Sequence, residues 1–195
     1  MIILVSGTNG AGKTYLMRRV LDLLPREANG ECRIQRDRTK SIRVGSQWGH
    51  PYDITLLGRY DGPTCGGCDC LSWKGASDDL ERLIVKAVQD GQRVLLEGLI
   101  VATWGIKRLM RLRGMGLAIV HIAVPLEECL ASVNDRRRAR ALATGKEYTP
   151  VKEDNIVSKY RCLQRQNDAR RASGITVLEL SREQAFQHVI GALGL

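Results

Sequence analysis

No apolar run in this 195-residue sequence is long enough to cross a bilayer. A membrane-spanning helix needs roughly 20 such residues. The longest runs are Ile2–Val5 and Leu117–Val124, and His121 interrupts the second. No basic-then-apolar leader precedes the first apolar run, so the expected compartment is the cytoplasm. Acidic residues are in deficit, 21 against 30 Lys and Arg, which leaves a formal charge of +9. Such a surplus points to a polyanionic partner. No internal repeat, low-complexity tract or linker divides the chain, so one domain over residues 1–195 is expected. Hydrophobic residues make up 44%, which excludes wholesale disorder. Aromatics are scarce at 5%, with a single Phe, so any local concentration of them is notable. No Asn-Lys-x-Asp motif occurs, which argues against a guanine-nucleotide switch.

What is present alternates between two patterns. Ile2–Val5, Arg93–Glu97, Leu117–Val124 and Thr176–Leu180 read as strands. One or two short strands are expected within residues 31–45. Apolar residues at helical spacing fill Tyr15–Leu24, and Pro25 stops that helix. A second helix is expected over Asp78–Asp90, with Ser77 as its cap, and a third after Pro125, running basic to about Ala172. Ser181 with Gln184 forms a capping box for the last helix, whose apolar side carries Phe186, Val189, Ile190 and Leu193. Strands alternating with helices predict an α/β three-layer sandwich around a central, mostly parallel sheet.

Gly7-Thr8-Asn9-Gly10-Ala11-Gly12-Lys13-Thr14 matches G-x-x-x-x-G-K-[ST] between the first strand and the first helix. Glycines let the backbone wrap phosphate oxygens, and the N–H groups and helix N-terminus supply positive potential. Lys13 is placed to reach the β- and γ-phosphates of ATP, and the Thr14 hydroxyl to ligate Mg²⁺. Glu97 ends a predicted strand, at the edge where parallel sheets place their chemistry. A carboxylate there can take a proton from an acceptor hydroxyl or hold a water on Mg²⁺.

Arg136-Arg137-Arg138-Ala139-Arg140 follows the helix that starts after Pro125. It resembles the arginine-bearing lid of small P-loop kinases, expected at roughly 134–150, which implies charge stabilisation by Arg136, Arg137 and Arg140. Arg136 and Arg140 share a helical face, whereas Arg137 continues the side of Val133 and is expected nearer the core. Eleven Lys and Arg against four Asp and Glu lie between Arg136 and Arg171. Lys107, Arg108, Arg111 and Arg113 form a second basic group. Arg33, Arg36, Arg38, Lys40 and Arg43 form a third. One triphosphate needs about two to four such charges, so the excess suits a polymer of phosphates.

The stretch 61–75 reads as a cysteine-rich substrate loop. Cys65, Cys68 and Cys70 there include a Cys-x-x-Cys pair. A thiol-bearing loop, a redox pair and a structural Zn²⁺ completed by Cys32 or His50 are all open, with zinc not favoured. Trp48, Tyr52, Tyr60 and Trp73 lie on either side of these cysteines. Trp48, Tyr60 and Trp73 are candidates to stack on a nucleobase, and Arg59 to meet a phosphate.

The P-loop, Glu97 and the basic lid together resemble the thymidylate-kinase-like branch of P-loop kinases. Gly58-Arg59-Tyr60, then Cys65-Gly66-Gly67-Cys68-Asp69, then Leu96-Glu97-Gly98 is similar to phage 5-hydroxymethyluracil DNA kinases. That resemblance implies a cytoplasmic phage enzyme working in the host. It would use ATP and Mg²⁺ to phosphorylate the hydroxymethyl group of 5-hydroxymethyluracil within DNA. It also implies a step in thymidine hypermodification that protects phage DNA from restriction, with Glu97 as general base. A base inside a duplex must flip out to reach a buried triphosphate. The chain lacks the Asp-Arg-Tyr motif of ordinary thymidylate kinases, which speaks against a free nucleotide acceptor. The alternatives are a kinase of a free nucleoside, nucleotide or small hydroxyl compound, and a nucleic-acid-binding module switched by ATP.

Overall fold

The computed structural model describes residues 1–24, 33–37, 40–46, 54–58, 67–70 and 75–195. Among these residues, seven strands form one sheet in the order β2-β3-β4-β5-β1-β6-β7. They are β1 (Ile2–Ser6), β2 (Arg33–Asp37), β3 (Lys40–Ser46), β4 (Ile54–Leu57), β5 (Arg93–Glu97), β6 (Leu117–Ile122) and β7 (Thr176–Leu180). β4, β5, β1, β6 and β7 run parallel, while β3 pairs antiparallel with β4, and β2 with β3. The mostly parallel sheet expected from the sequence is therefore present.

β1 explains why. Ile2, Ile3, Leu4 and Val5 are all buried, as a strand covered on both faces requires. Ile3 and Val5 join one apolar cluster, with Leu16, Met17 and Val20 of α1 (Lys13–Leu23) and Phe186 and Val189 of α7 (Arg182–Leu193). Ile2 and Leu4 join the other, with Leu80 and Ile84 of α2 (Ala76–Gln89). Alternation along one strand thus fills both interlayer spaces.

Local chemistry sets the helix ends, not always as the sequence suggested. The Ser181–Gln184 capping box is present in both directions, with Ser181 N–H donating to Gln184 Oε1 at 3.0 Å. Ser77 does not cap α2. Gly75 occupies the N-cap, and the Ser77 hydroxyl accepts from Trp104 Nε1 at 3.1 Å. The basic helical region is two helices, α5 (Leu126–Thr144) and α6 (Glu153–Ala172), because Gly145 turns left-handed at φ 63° and ends the first. Between β5 and β6 lie α3 (Leu99–Ala102) and α4 (Ile106–Arg113), which the basic composition of 107–113 obscured. None of the helices among the described residues is long and apolar enough to cross a membrane.

A buried arginine ties α6 to the segment after β5. Arg170 is 1% exposed and has no carboxylate partner among the described residues. It donates to the Ala102 carbonyl, to Trp104 O at 3.5 Å and to Asn167 Oδ1 at 3.0 Å. Arg170→Ala opens a cavity and orphans these acceptors. Unfolding in urea is expected to show a loss of about 3 kcal/mol.

Candidate active site

β5 and β6 flank β1, with Val5 beside Glu97 and Ser6 beside His121 in register. The crevice at the carboxyl ends of these strands is where ligands bind in open parallel sheets. The phosphate-binding loop enters it directly from Ser6. Ala11 N–H bonds back to Thr8 O at 3.1 Å, and α1 begins at Lys13. Lys13 is 7% exposed, and its Nζ donates to Gly7 O at 2.9 Å and Thr8 O at 3.2 Å. Burial lowers the affinity of this amine for its proton, while Glu97 and Asp69 act the other way.

Glu97 is 1% exposed. Its Oε1 accepts from the Thr14 hydroxyl at 2.8 Å. Burial pushes its carboxyl above the usual range, opposed by the charge of Lys13 and the bond from Thr14. A hydroxyl and a carboxylate joined in this way offer hard oxygen donors, which fit a divalent cation such as Mg²⁺.

The loop is braced from outside. Gly10 lies so close to the Cys129 carbonyl of α5 that a side chain cannot fit. Arg182 donates to Ala11 O at 3.1 Å and pairs with Glu128 at 3.2 Å. Beneath, Ser6 Oγ and His121 Nδ1 are 3.0 Å apart, and burial holds His121 below its ordinary pKa. Neither Arg182 nor His121 stands out in the sequence, because both lie far from the loop in the chain.

Arg136, Arg137 and Arg140 line a cleft of about 780 Å³ between α5 and α6, with Asn9 of the loop and Lys159. All three arginines are exposed. The expected inward position of Arg137 is not found. Its Nη1 instead donates to Thr149 O and Pro150 O at 3.0 and 3.1 Å, fixing the strand of chain between the helices. Arg138 pairs with Asp135 at 3.2 Å and lies over the Tyr148 ring. Of the four, Arg136 is the one whose charge bears on Lys13.

The other wall of the crevice is the turn Gly67–Cys70. Gly67, at φ 68°, packs against the Glu97 side chain, leaving no room for a Cβ. Cys68 is buried and its thiol donates to Leu57 O at 3.5 Å. Burial and the nearby carboxylates of Glu97 and Asp69 push that thiol well above its ordinary pKa. A thiol held protonated in this way is a poor metal ligand. No cluster of three or more potential metal ligands exists among the described residues. Zinc is thus not supported, although Cys65 lies outside the described residues, as does the side chain of Cys70.

The same overall arrangement occurs in a chain of the PezAT chromosomal toxin–antitoxin system of Streptococcus pneumoniae. The two are 17% identical, with a TM-score of 0.52 over 94% of this chain and 69% of that one, a likeness of fold. No family model matches the sequence. A curated protein of Pseudomonas phage PaMx11 named 5-hmdU DNA kinase is 30% identical over 190 residues, covering 96% of this chain and 94% of that protein. This chain belongs to the 5-hmdU DNA kinase family. A second 5-hmdU DNA kinase, from Pseudomonas phage M6, is 28% identical over 190 residues, 95% of this chain and 93% of that one. The expectation of a P-loop kinase fold and a phosphotransferase activity is met.

In this 5-hmdU DNA kinase family member, Trp48, Arg59, Tyr60 and Trp73 lie outside the described residues, as does the expected loop over 61–66 and 71–74. The basic groups are not equivalent. Arg108 pairs with Asp78 and with Glu81 at 3.0 Å, and Arg111 with Glu81 at 2.7 Å. That patch is half neutralised by acids of α2, which sequence order does not reveal. By contrast, Arg136, Arg140 and Lys159 make no ion pair among the described residues, so the cleft beside the phosphate loop keeps its positive charge.

Proposed function

We propose that this kinase transfers the γ-phosphoryl group of ATP to the hydroxymethyl oxygen of 5-hydroxymethyluracil within DNA. The step would serve thymidine hypermodification, which shields phage DNA from host restriction. The observation that carries this reading is the convergence of Lys13, Thr14 and Glu97 at one crevice in a chain of this family. The P-loop Gly7, Thr8, Asn9, Gly10, Ala11, Gly12, Lys13 and Thr14 would hold the triphosphate, with Lys13 supplying a point charge. Thr14 and Glu97 would hold Mg²⁺, which neutralises triphosphate charge when bound. The bond between Thr14 and Glu97 favours this second role for Glu97 over that of proton acceptor. Arg136 and Arg140 face the loop from the cleft and suit the transferring group. Arg137 fixes the connection at 149–150, so the whole of 134–150 acts as the lid of a single domain. Trp48, Tyr60 and Trp73 are the candidate stacking platform and Arg59 the candidate phosphate contact, on the substrate loop at 61–75 and beside it. The host cytoplasm supplies the ATP.

The test is label transfer from γ-labelled ATP to duplex DNA containing 5-hydroxymethyluracil, followed by digestion to nucleosides. Label on the modified base supports the reading. Label only on free nucleosides or nucleotides overturns the DNA acceptor, and ATP turnover with no phosphorylated product points to a switch. A polymer acceptor also predicts salt dependence. With about three phosphates engaged, log KM for DNA should rise with log salt at a slope of roughly 3. A free nucleoside would give a slope near zero.

A further inference from the structure

Two carboxylates face the crevice, and they are held differently. Glu97 is almost wholly buried, its Oε1 taken by Thr14 and its flank covered by Gly67. Asp69 is exposed, and among the described residues it makes no ion pair. Its Oδ1 accepts one bond, from the Ile100 N–H of α3 at 3.1 Å. The chain builds that position deliberately. The Cys68 thiol pegs the turn to Leu57 O at the end of β4, and Gly67 seats it on Glu97. Gly98 is the matching gap on the other side, since a Cβ there would stand 2.9 Å from Asp69 Oδ1. Asp69 is also close enough to act electrostatically on both Lys13 and Glu97. A base must touch the acceptor hydroxyl, which arrives from solvent, and the buried carboxylate is already committed to the phosphate loop.

We infer that Asp69 is the general base of the transfer, a catalytic residue distinct from Glu97. The acceptor O–H proton passes to an Asp69 carboxylate oxygen as that acceptor oxygen forms its bond to Pγ. The bond from Pγ to the bridging oxygen breaks, and its electron pair leaves on ADP. The inference rests on the reading of the chain as a kinase of an alcohol group. It gives the Cys-Gly-Gly-Cys-Asp stretch a purpose: the cysteine that is described is a peg, and the aspartate is the working group.

Asp69→Asn and Glu97→Gln, compared with wild type, separate the two carboxylates. Asn keeps the acceptor oxygen for Ile100 N–H, so Asp69→Asn should melt with the wild type. Its kcat on 5-hydroxymethyluracil DNA should fall about 10²-fold, with KM for DNA within a fewfold. ATP affinity measured by titration should still tighten on adding Mg²⁺. Glu97→Gln should lose that Mg²⁺ effect on ATP binding. The inference is overturned if Asp69→Asn keeps kcat within about tenfold of wild type, a tenth of the smallest effect expected of a lost base. It is equally overturned if Asp69→Asn abolishes the Mg²⁺ effect while Glu97→Gln preserves it. Should wild type fail to label DNA, the DNA reading fails, and the same comparison is made on free 5-hydroxymethyl-2′-deoxyuridine, which carries the same alcohol.

Discussion

Lys13→Met is expected to lose kinase turnover by about 10³-fold, the scale of removing one preorganised charge from a transferring group. At pH 5 it is expected to do so without lowering the melting temperature of the unliganded protein. Two opposing terms meet at this residue. Burying the ammonium costs solvation, which is why its pKa lies below the ordinary lysine value of 10.5. Against that stand the bonds to Gly7 O and Thr8 O and the attraction of Glu97. Met preserves the apolar stem, removes the buried charge and orphans two carbonyls, so the terms nearly cancel.

Glu97 then registers the change. Its carboxyl is already raised by burial, and Lys13 is the main charge holding it down. Above pH 4.5, and up to the raised folded value, the native state holds a proton that the unfolded chain has released. Stability therefore falls as pH rises through that window and levels off beyond it. Without Lys13 the window extends further upward. Melting curves from pH 5 to 8 should decline more for Lys13→Met than for wild type. A variant that melts several degrees lower at pH 5 and shows no steeper decline contradicts this account of the pair.

Much of this site was legible in the sequence because its chemistry is local. The phosphate loop occupies eight consecutive residues, and its glycines, lysine and hydroxyl need no partner elsewhere to be recognised. β5 and its terminal Glu97 were legible for a similar reason, since Val94–Leu96 is an apolar run followed by one acid. The capping box at Ser181 is also a short-range pattern. What was hidden depends on contacts across the fold. Nothing in the order Asp78, Glu81, Arg108, Arg111 says that α2 and α4 share a surface, so a paired group read as a free basic patch. Ser77 looked like a cap because helix propensity is local, but Trp104 claims its hydroxyl from 27 residues away. The cysteine stretch left a thiol-bearing loop, a redox pair and a disfavoured zinc site open, because Cys-x-x-Cys spacing alone does not separate them. Burial of Cys68 against Leu57 O bears on that choice, and burial is not a property of spacing.

Gly10→Ala is the second large effect expected, and its cause is steric. A Cβ on Gly10 would run into the Cys129 carbonyl, with the Cys129 carbonyl carbon and Cα at 3.1 Å. All of these are backbone atoms of α5, so no side chain can swing aside. Gly10 also sits at φ 89°, where an L-residue is strained by about 1–2 kcal/mol. Overpacking adds about 1–3 kcal/mol. The two elements forced apart are the phosphate loop and the helix that carries Arg136 and Arg140 two and three turns further on. ATP affinity should therefore fall by up to about 10²-fold, since up to about 3 kcal/mol of the overpacking cost falls on the loop itself. Gly91→Ala is the matched control. Gly91 has φ 80° but nothing within 4 Å, and it lies between α2 and β5, at the edge of the sheet opposite the site. It should carry the strain alone, melting a few degrees lower with ATP affinity unchanged. If Gly10→Ala loses no more affinity than Gly91→Ala, the loop is not braced by α5, and the coupling of loop to lid through Cys129 fails with it.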